Sequence, residues 1–178
     1  MKILRLFLLS LFMIIICSSA INAQQLGVRS GWNFSKVTGG DLPDKDNNNG
    51  WYIGVTYEMP FIVKDLLYLV PEVQYSQQGF GNVNLDYISV PILAKIYLVK
   101  IISLELGPQF GFNIGDNAPA DLNYSIKTFD PAWAAGLAIN LPFRLSISGR
   151  YVGSFSEVVE GTGSKNMLFQ AGLSFRFK

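Results

Sequence analysis

The sequence contains no histidine, and its single cysteine, Cys17, lies in the N-terminal apolar segment. Catalytic devices of the Ser-His-Asp and Cys-His types need an imidazole as proton carrier, so the composition excludes them. Disulfide frameworks, zinc sites and thiol chemistry need several cysteines or histidines, and they are excluded as well. The sequence therefore predicts neither an enzyme nor a protein with a bound cofactor.

An excess of charge of one sign is also missing, because 14 basic residues stand against 13 acidic ones. This balance does not indicate a nucleic-acid partner, which would favour a basic surface. After the N-terminal segment no apolar run reaches the roughly 20 residues that a membrane-spanning helix needs. Apolar and polar residues alternate instead, and this period is typical of strands.

The first 23 residues have the composition of a secretory signal peptide. Lys2 and Arg5 precede an apolar run from Leu6 to Cys17, and small residues follow as far as Ala23. Cleavage after Ala23 would leave residues 24–178 as one domain. Lipid attachment at Cys17 is a less favoured alternative, because Ile16 stands where that processing needs a small residue.

Eight alternating segments predict eight strands. They are residues 26–35, 51–59, 67–77, 87–98, 102–113, 130–139, 145–152 and 168–177. Long polar connections follow the first, fifth and seventh segments, at residues 36–50, 115–129 and 153–165, and a shorter one, residues 78–84, follows the third. The remaining connections are tight joints at 60–65, 99–100 and 140–143. Outer-membrane barrels share this habit of long connections at one end, short turns at the other and an even number of strands.

Successive side chains of a strand point to opposite faces, so the parity of each position assigns it to a face. The stretch VPEVQYSQQGF places Val73 and Tyr75 on one face and Glu72 and Gln74 on the other. Across all eight segments the first face carries no charge. The second face carries every strand charge: Arg29, Glu58, Glu72, Lys95, Glu105, Asp130, Arg150 and Arg176. Glycine, serine and glutamine fill most of the rest of that face.

An apolar face without charge fits contact with lipid, where Arg or Lys at the midplane costs about 2–4 kcal/mol. The polar face, crowded with glycine and with balanced charges, fits an enclosed interior. The sequence therefore predicts an all-β protein, an eight-stranded antiparallel up-and-down transmembrane β-barrel in the outer membrane of a Gram-negative bacterium. A soluble periplasmic carrier of an apolar ligand, similar to a lipocalin, is the alternative.

Eight closed strands leave an interior that side chains fill, so no open pore is expected. Buried charges must then pair. The predicted interior charges are Arg29, Glu58, Glu72, Lys95, Glu105, Arg150 and Arg176, with the pairs left open. Four prolines interrupt the predicted strands, and we expect β-bulges to accommodate some of them. A bulge at Pro91 would turn Lys95 to the other face.

Aromatic residues gather near both ends of the predicted strands, as in the girdles of membrane barrels. The set near the long connections is Trp32, Phe34, Trp51, Tyr75, Phe112, Trp133 and Tyr151. The set near the tight turns is Tyr57, Phe61, Tyr97, Phe143, Phe175 and Phe177. Two girdles indicate a barrel that crosses the whole bilayer.

Several motifs together resemble the PorT-like outer-membrane β-barrel family of Bacteroidota. They are GVRSGWNFS, PEVQYSQQG, LDYISVPILAKIYL, LELGPQFGF, SGRYVGSF and LFQAGLSFRFK, and they span nearly the whole mature chain. The resemblance implies an eight-stranded outer-membrane barrel whose C-terminal strand serves as the assembly signal. Lys178 follows Phe177, so the usual terminal aromatic residue is displaced by one position. One branch of the family is linked to type IX secretion and gliding, and no residue here assigns the chain to that branch.

The expected partners are outer-membrane lipids, together with a protein or lipopolysaccharide bound through the long connections, which a rigid barrel leaves free to vary. A structural role, or a role accessory to a secretion or envelope complex, is an equally open hypothesis. Asp44, Asp46 and Asn48 have the spacing of the first ligands of a calcium loop. The following glycine comes one place late, at Gly50, and Val55 replaces the bidentate glutamate. A solvated surface connection is the better interpretation, and no metal site is predicted.

We expect a natively extracted sample to migrate differently on a denaturing gel before and after boiling, because a closed barrel of this type resists detergent until it is heated. Parallel lanes of the same sample, with and without heating, measure this. Identical migration in both lanes would count against a closed barrel.

Overall fold

The computed structural model of the chain describes residues 25–38, 48–61, 63, 66–80, 83–117, 127–157, 163 and 165–177. The predicted signal peptide, Asp44 and Asp46 lie outside these residues. Eight strands account for nearly all of the described chain: β1 (Gln25–Thr38), β2 (Asn48–Pro60), β3 (Leu67–Phe80), β4 (Val83–Val99), β5 (Ile102–Asp116), β6 (Phe129–Asn140), β7 (Leu145–Glu157) and β8 (Lys165–Arg176). The described part contains no helix of the length and apolarity that would span a membrane.

The strands form one closed barrel in sequence order, and every neighbouring pair is antiparallel. Closure comes from β1 and β8, which pair continuously from Gly27 opposite Arg176 to Thr38 opposite Lys165. Hydrocarbon offers no hydrogen bonds to a free strand edge, so a sheet that spans a bilayer must close on itself. The predicted eight-stranded up-and-down barrel is confirmed.

The two faces of the barrel are inverted relative to a soluble protein. Val73 and Leu106 point outward with 56% and 60% of their surface exposed, whereas Arg150 and Tyr52 point inward with 0% exposed. The same alternation runs through all eight strands, because each strand keeps its period of two. The apolar residues therefore form the outer surface, and most buried polar residues lie in the lumen.

The strand prolines do not shift the register as the sequence suggested. Pro71 lies opposite Ile92, and the pairing resumes in the same register with Gln74 opposite Ser89. The register shifts of β4 and β5 lie elsewhere, between Asp86 and Tyr87 and between Tyr97 and Val99. Lys95 is consequently buried in the lumen with 5% of its surface exposed.

The prediction of a loop over residues 78–84 was wrong, because β3 runs to Phe80 and β4 begins at Val83. The two strands pair there through Gln78 opposite Leu85 and Phe80 opposite Val83. Continued alternation explains this extension, since Gln78 and Leu85 are both buried. The connections after β1, β5 and β7 are longer, at residues 39–47, 117–128 and 158–164. We call the end of the barrel that carries these connections the long-connection end, and we call the opposite end the tight-turn end.

The turn between β6 and β7 has two non-glycine residues in the left-handed region, Phe143 with φ 63° and Arg144 with φ 64°. Both follow Pro142, and the Leu141 amide donates to the Leu145 carbonyl oxygen at 2.8 Å across the turn. A tight hairpin turn favours positive φ at its two central positions. Residues with a Cβ pay of order 1–3 kcal/mol each in such conformations.

Aromatic residues pack in pairs across neighbouring strands on the outside. Trp51 and Tyr75 have ring centroids 5.1 Å apart, and those of Trp133 and Tyr151 are 5.3 Å apart. Tyr97 is an exception to the predicted girdle, because its hydroxyl reaches into the lumen and donates to the Glu58 carboxylate at 2.6 Å. Its odd position in β4 places it on the polar face, so the girdle assignment of Tyr97 was wrong.

Substituting Val73→Arg in the middle of β3 should lower the free energy of unfolding by about 2–4 kcal/mol, because the guanidinium would enter the lipid face near the midplane. Val63→Arg, at an exposed position in the connection between β2 and β3, is the matched control and should cost about 0–1 kcal/mol. Urea unfolding of both variants in lipid vesicles measures the difference. Equal losses would contradict a lipid-facing position for Val73.

Candidate functional site

Four buried charges meet in the centre of the lumen, and each comes from a different odd-numbered strand. Arg150 of β7 donates from Nη1 and Nη2 to the Glu72 carboxylate at 2.7 and 2.9 Å. The same Nη2 donates to Glu105 Oε2 of β5 at 2.7 Å. Arg29 of β1 completes the group, with Nη1 at 3.2 Å from Glu105 and at 3.7 Å from Glu72. We call these four residues the central cluster.

The central cluster carries two positive and two negative charges, so it is neutral as a unit. Its side chains are between 0% and 8% exposed. Removing an unpaired ion from water costs several kcal/mol, and this cost is offset only when partners and hydrogen bonds are well placed. The planar fork of Arg150 meets this requirement, because one guanidinium joins Glu72 and Glu105 across the barrel.

Glycines in the wall make room for the central cluster. Gly172 lies opposite Gly31, and a Cβ on Gly172 would overlap with the Tyr52 hydroxyl group. That hydroxyl accepts a hydrogen bond from Arg29 Nε at 3.1 Å. Gly172 therefore determines where Tyr52 lies, and Tyr52 in turn holds Arg29.

A second charged group lies at the tight-turn end and comes from even-numbered strands. Glu58 of β2 accepts from Lys95 Nζ of β4 at 3.0 Å and from the Tyr97 hydroxyl at 2.6 Å. Arg176 of β8 donates from Nη1 to the Tyr97 oxygen at 2.6 Å and lies 3.5 Å from Glu58 Oε1. We call these residues the tight-turn cluster. It has two cations for one carboxylate and is positive as a unit.

Neutral polar side chains occupy the lumen on the side of the long connections. Asn33 donates to Ser76 at 2.9 Å and accepts from Gln170 at 3.1 Å. Gln78 donates to Ser76 at 3.0 Å, and its own oxygen accepts from Asn166 at 2.6 Å. These amide and hydroxyl contacts join β1, β3 and β8 and fill the lumen with side chains.

Apolar residues also lie inside the barrel, which the prediction of a polar interior missed. Buried members of this group are Val70, Leu93, Ala132, Ala134, Val152 and Leu168. Their parity places them on the same face as the charges, so their orientation was available from the sequence. The lumen is therefore a mixed core that contains apolar contacts as well as the charged clusters.

The structure places all seven predicted interior charges in the lumen and divides them between the two clusters. Arg29, Glu72, Glu105 and Arg150 form the central cluster, and Glu58, Lys95 and Arg176 belong to the tight-turn cluster. Asp130 pairs differently, because its two oxygens accept from the hydroxyls of Ser154 and Ser156 at 2.6 and 2.9 Å. Asp130 is thus solvated by serines.

The calcium hypothesis rested on residues that lie mostly outside the described part. Asn48, which is described, donates from its amide to Asn84 Oδ1 at 3.1 Å and to the Val83 carbonyl at 3.3 Å. Within the described residues no group of three or more His, Cys, Asp or Glu side chains could hold a metal ion. Asn48 instead links the first residue of β2 to the first two residues of β4.

A closed antiparallel barrel with an apolar exterior and a charged, filled lumen defines a small, non-porin protein of the outer membrane. The sequence matches the family Outer membrane protein beta-barrel domain over residues 7–177. The chain belongs to this family, and the predicted location in the outer membrane of a Gram-negative bacterium is confirmed. A lipocalin-like carrier is not favoured, because its apolar face would line the interior.

Solved outer-membrane proteins share this fold. Ail, the attachment invasion locus protein of Yersinia pestis, is 18% identical with a TM-score of 0.57, and the match covers 88% of this chain and all (100%) of Ail. Neisserial surface protein A is 10% identical with a TM-score of 0.54, over 85% of this chain and 97% of that one. At these identities the likeness concerns the fold alone. No match was found among curated protein sequences.

Arg150→Met should destabilise the barrel by about 3–5 kcal/mol, because it leaves two buried carboxylates with one guanidinium. The double variant Arg150→Met with Glu72→Gln should lose less stability than Arg150→Met alone, since Arg29 and Glu105 then remain as a neutral pair. Urea unfolding in detergent micelles measures both.

Gln74→Met is the control for this comparison, because Gln74 is buried next to Glu72 and its amide has no hydrogen-bond partner among the described residues. We expect Gln74→Met to change stability little. A double variant that is no more stable than Arg150→Met would contradict charge neutralisation in the central cluster.

Proposed function

We propose that this barrel is a closed, non-enzymatic scaffold that binds a protein partner at the cell surface through its long connections. The observation that carries this proposal is the filled lumen, which leaves the two ends of the barrel for recognition. In outer-membrane barrels the longer loops are extracellular and the short turns periplasmic. The long-connection end would then face outward, where a rigid scaffold can support variable binding segments.

The charge of the long-connection end indicates which partner it suits. The connection 39–47 contains Asp41, Asp44 and Asp46 against one lysine, Lys45. Among the described residues, four further acidic residues lie near the same end, Asp86, Asp116, Asp130 and Glu157, together with three lysines, Lys36, Lys127 and Lys165. An acidic end attracts a partner with a basic surface. Direct contact with the phosphates of lipopolysaccharide is the less favoured alternative.

Ail offers a comparison, because one of its structures is a complex with sucrose octasulfate, a heparin analogue, at 16% identity and a TM-score of 0.53. A polyanion of that kind would be repelled by the acidic connections of this chain. The partner proposed here therefore has the opposite charge.

A second candidate is an accessory role in a secretion or envelope complex, with contact at the periplasmic end. It is supported by the resemblance to PorT-like barrels and by Phe143, which is 87% exposed at the tip of a strained turn. An exposed aromatic side chain of this kind suits an anchor in a protein interface.

Site-specific photo-crosslinking in cells should distinguish the two candidates. A photoreactive residue at Thr128, an exposed position at the long-connection end, should give a protein adduct, and one at Phe143 should give none. Neutralising Asp41, Asp44 and Asp46 to asparagine should reduce the Thr128 adduct, because the attraction is electrostatic and partly screened by salt. Mass spectrometry of the adduct identifies the partner and its charge.

An adduct at Phe143 alone would overturn the surface-binding proposal in favour of the accessory role. An adduct with lipopolysaccharide alone at Thr128 would replace the protein partner by a lipid one. Both labelled proteins must first show a heat-dependent change of gel migration, so that the comparison is between folded barrels.

A further inference from the structure

A cavity of about 390 Å³ opens in the barrel at the tight-turn end. It lies on the tight-turn cluster, and its polar lining is formed by Gln25, Glu58, Tyr68, Tyr97, Lys100 and Arg176. Its volume falls within the range that small-molecule sites occupy. The proposed surface function does not use this cavity, because the long connections lie at the other end.

Positive charge exceeds negative charge around this cavity. Glu58 is already held by two cations, Lys95 at 3.0 Å and Arg176 at 3.5 Å. Lys100, in the turn between β4 and β5, adds a third cation and is exposed, and no ion pair joins it to another described residue. Three cations for one carboxylate leave an excess of two positive charges, and a site recessed into the protein concentrates their field.

The Arg176 guanidinium has N–H donors that make no hydrogen bond within the described protein. A guanidinium has five N–H donors, and the contacts of Arg176 to Tyr97 and Glu58 involve Nη1 alone. Its Nε also has no hydrogen-bond partner among the described residues but is buried, so the donors left for a ligand are those of Nη2. The Tyr97 hydroxyl lies between Glu58 and Arg176 and keeps that guanidinium at the cavity wall.

We propose that this cavity binds a phosphate group that enters from the periplasmic side, with Arg176 and Lys100 as its main contacts. A phosphate monoester carries about 1.5–2 negative charges at neutral pH, which matches the local excess. Arginine and lysine are the side chains that bind phosphate in proteins, arginine by paired hydrogen bonds and lysine as a point charge. The phosphate can belong to a soluble monoester or to a phospholipid headgroup of the adjacent leaflet, which is a diester with one negative charge and neutralises only part of the excess.

Titration with glycerol 3-phosphate tests this site on the full barrel in a phosphate-free maltoside detergent. The readouts are the NMR signals of the Lys100 amide and the Arg176 Nε–H group, which should shift and saturate. Lys100→Gln should weaken binding about 2- to 5-fold, as for a partly exposed ion pair. Arg176→Gln should weaken it at least about 10-fold, because it removes charged hydrogen bonds.

Arg144→Gln is the matched control, since Arg144 is an exposed cation of the next turn and does not line the cavity. Its affinity for glycerol 3-phosphate should equal that of the unchanged protein. Equal weakening by Arg144→Gln and Lys100→Gln, or shifts that never saturate, would overturn the proposal. If Arg176→Gln fails to fold, the affinities of Lys100→Gln and Arg144→Gln for glycerol 3-phosphate still test the proposal.

Phospholipid nanodiscs separate the two sources of phosphate. If a headgroup is the occupant, the Lys100 and Arg176 signals in nanodiscs should already match those of the saturated detergent sample, and added glycerol 3-phosphate should change nothing. If a soluble monoester is the ligand, it should shift these signals in nanodiscs as well. Acetate at equal concentration tests for a carboxylate ligand, and equal affinity for acetate would refute specificity for phosphate.

Discussion

Hydrocarbon around the barrel is the constraint on which the rest of this structure depends. It accepts neither an unpaired backbone group nor a charge, so the sheet has to close and every charge in the lipid-embedded part of a strand has to face inward. Inside the lumen, water cannot solvate the buried charges, so they have to neutralise one another. The central cluster meets this demand with Arg150, whose guanidinium contacts Glu72 of the opposite strand β3 and Glu105 of β5.

The same constraint explains why the ends of the barrel carry its chemistry. The central cluster is neutral and the lumen around it is filled, whereas the two ends differ in charge. Acidic residues collect in and near the long connections, and the tight-turn end is basic through Lys95, Lys100 and Arg176. A barrel polarised in this way can present different surfaces to the outside and to the periplasm without a passage between them.

Parity predicted most of the fold, because an orientation in or out depends only on the position within a strand. Glu72 and Arg150 were assigned to the interior in this way, whereas their direct contact was not foreseen. They lie four strands apart around the ring and 78 residues apart in sequence, and their meeting depends on strand tilt and stagger. Tyr97 was misjudged for a simpler reason, since its aromatic character was weighed above its position in β4.

The most direct measurement of the central claim is NMR relaxation of methyl groups in nanodiscs that contain a lipid-soluble paramagnetic probe. Val73 and Leu106 face outward, and Val70 and Leu93 are buried in the lumen. The first two should relax much faster when the probe is present, and the second two should be unaffected. Fast relaxation of Val70 or Leu93, or none at Val73 and Leu106, would contradict an apolar exterior in contact with lipid.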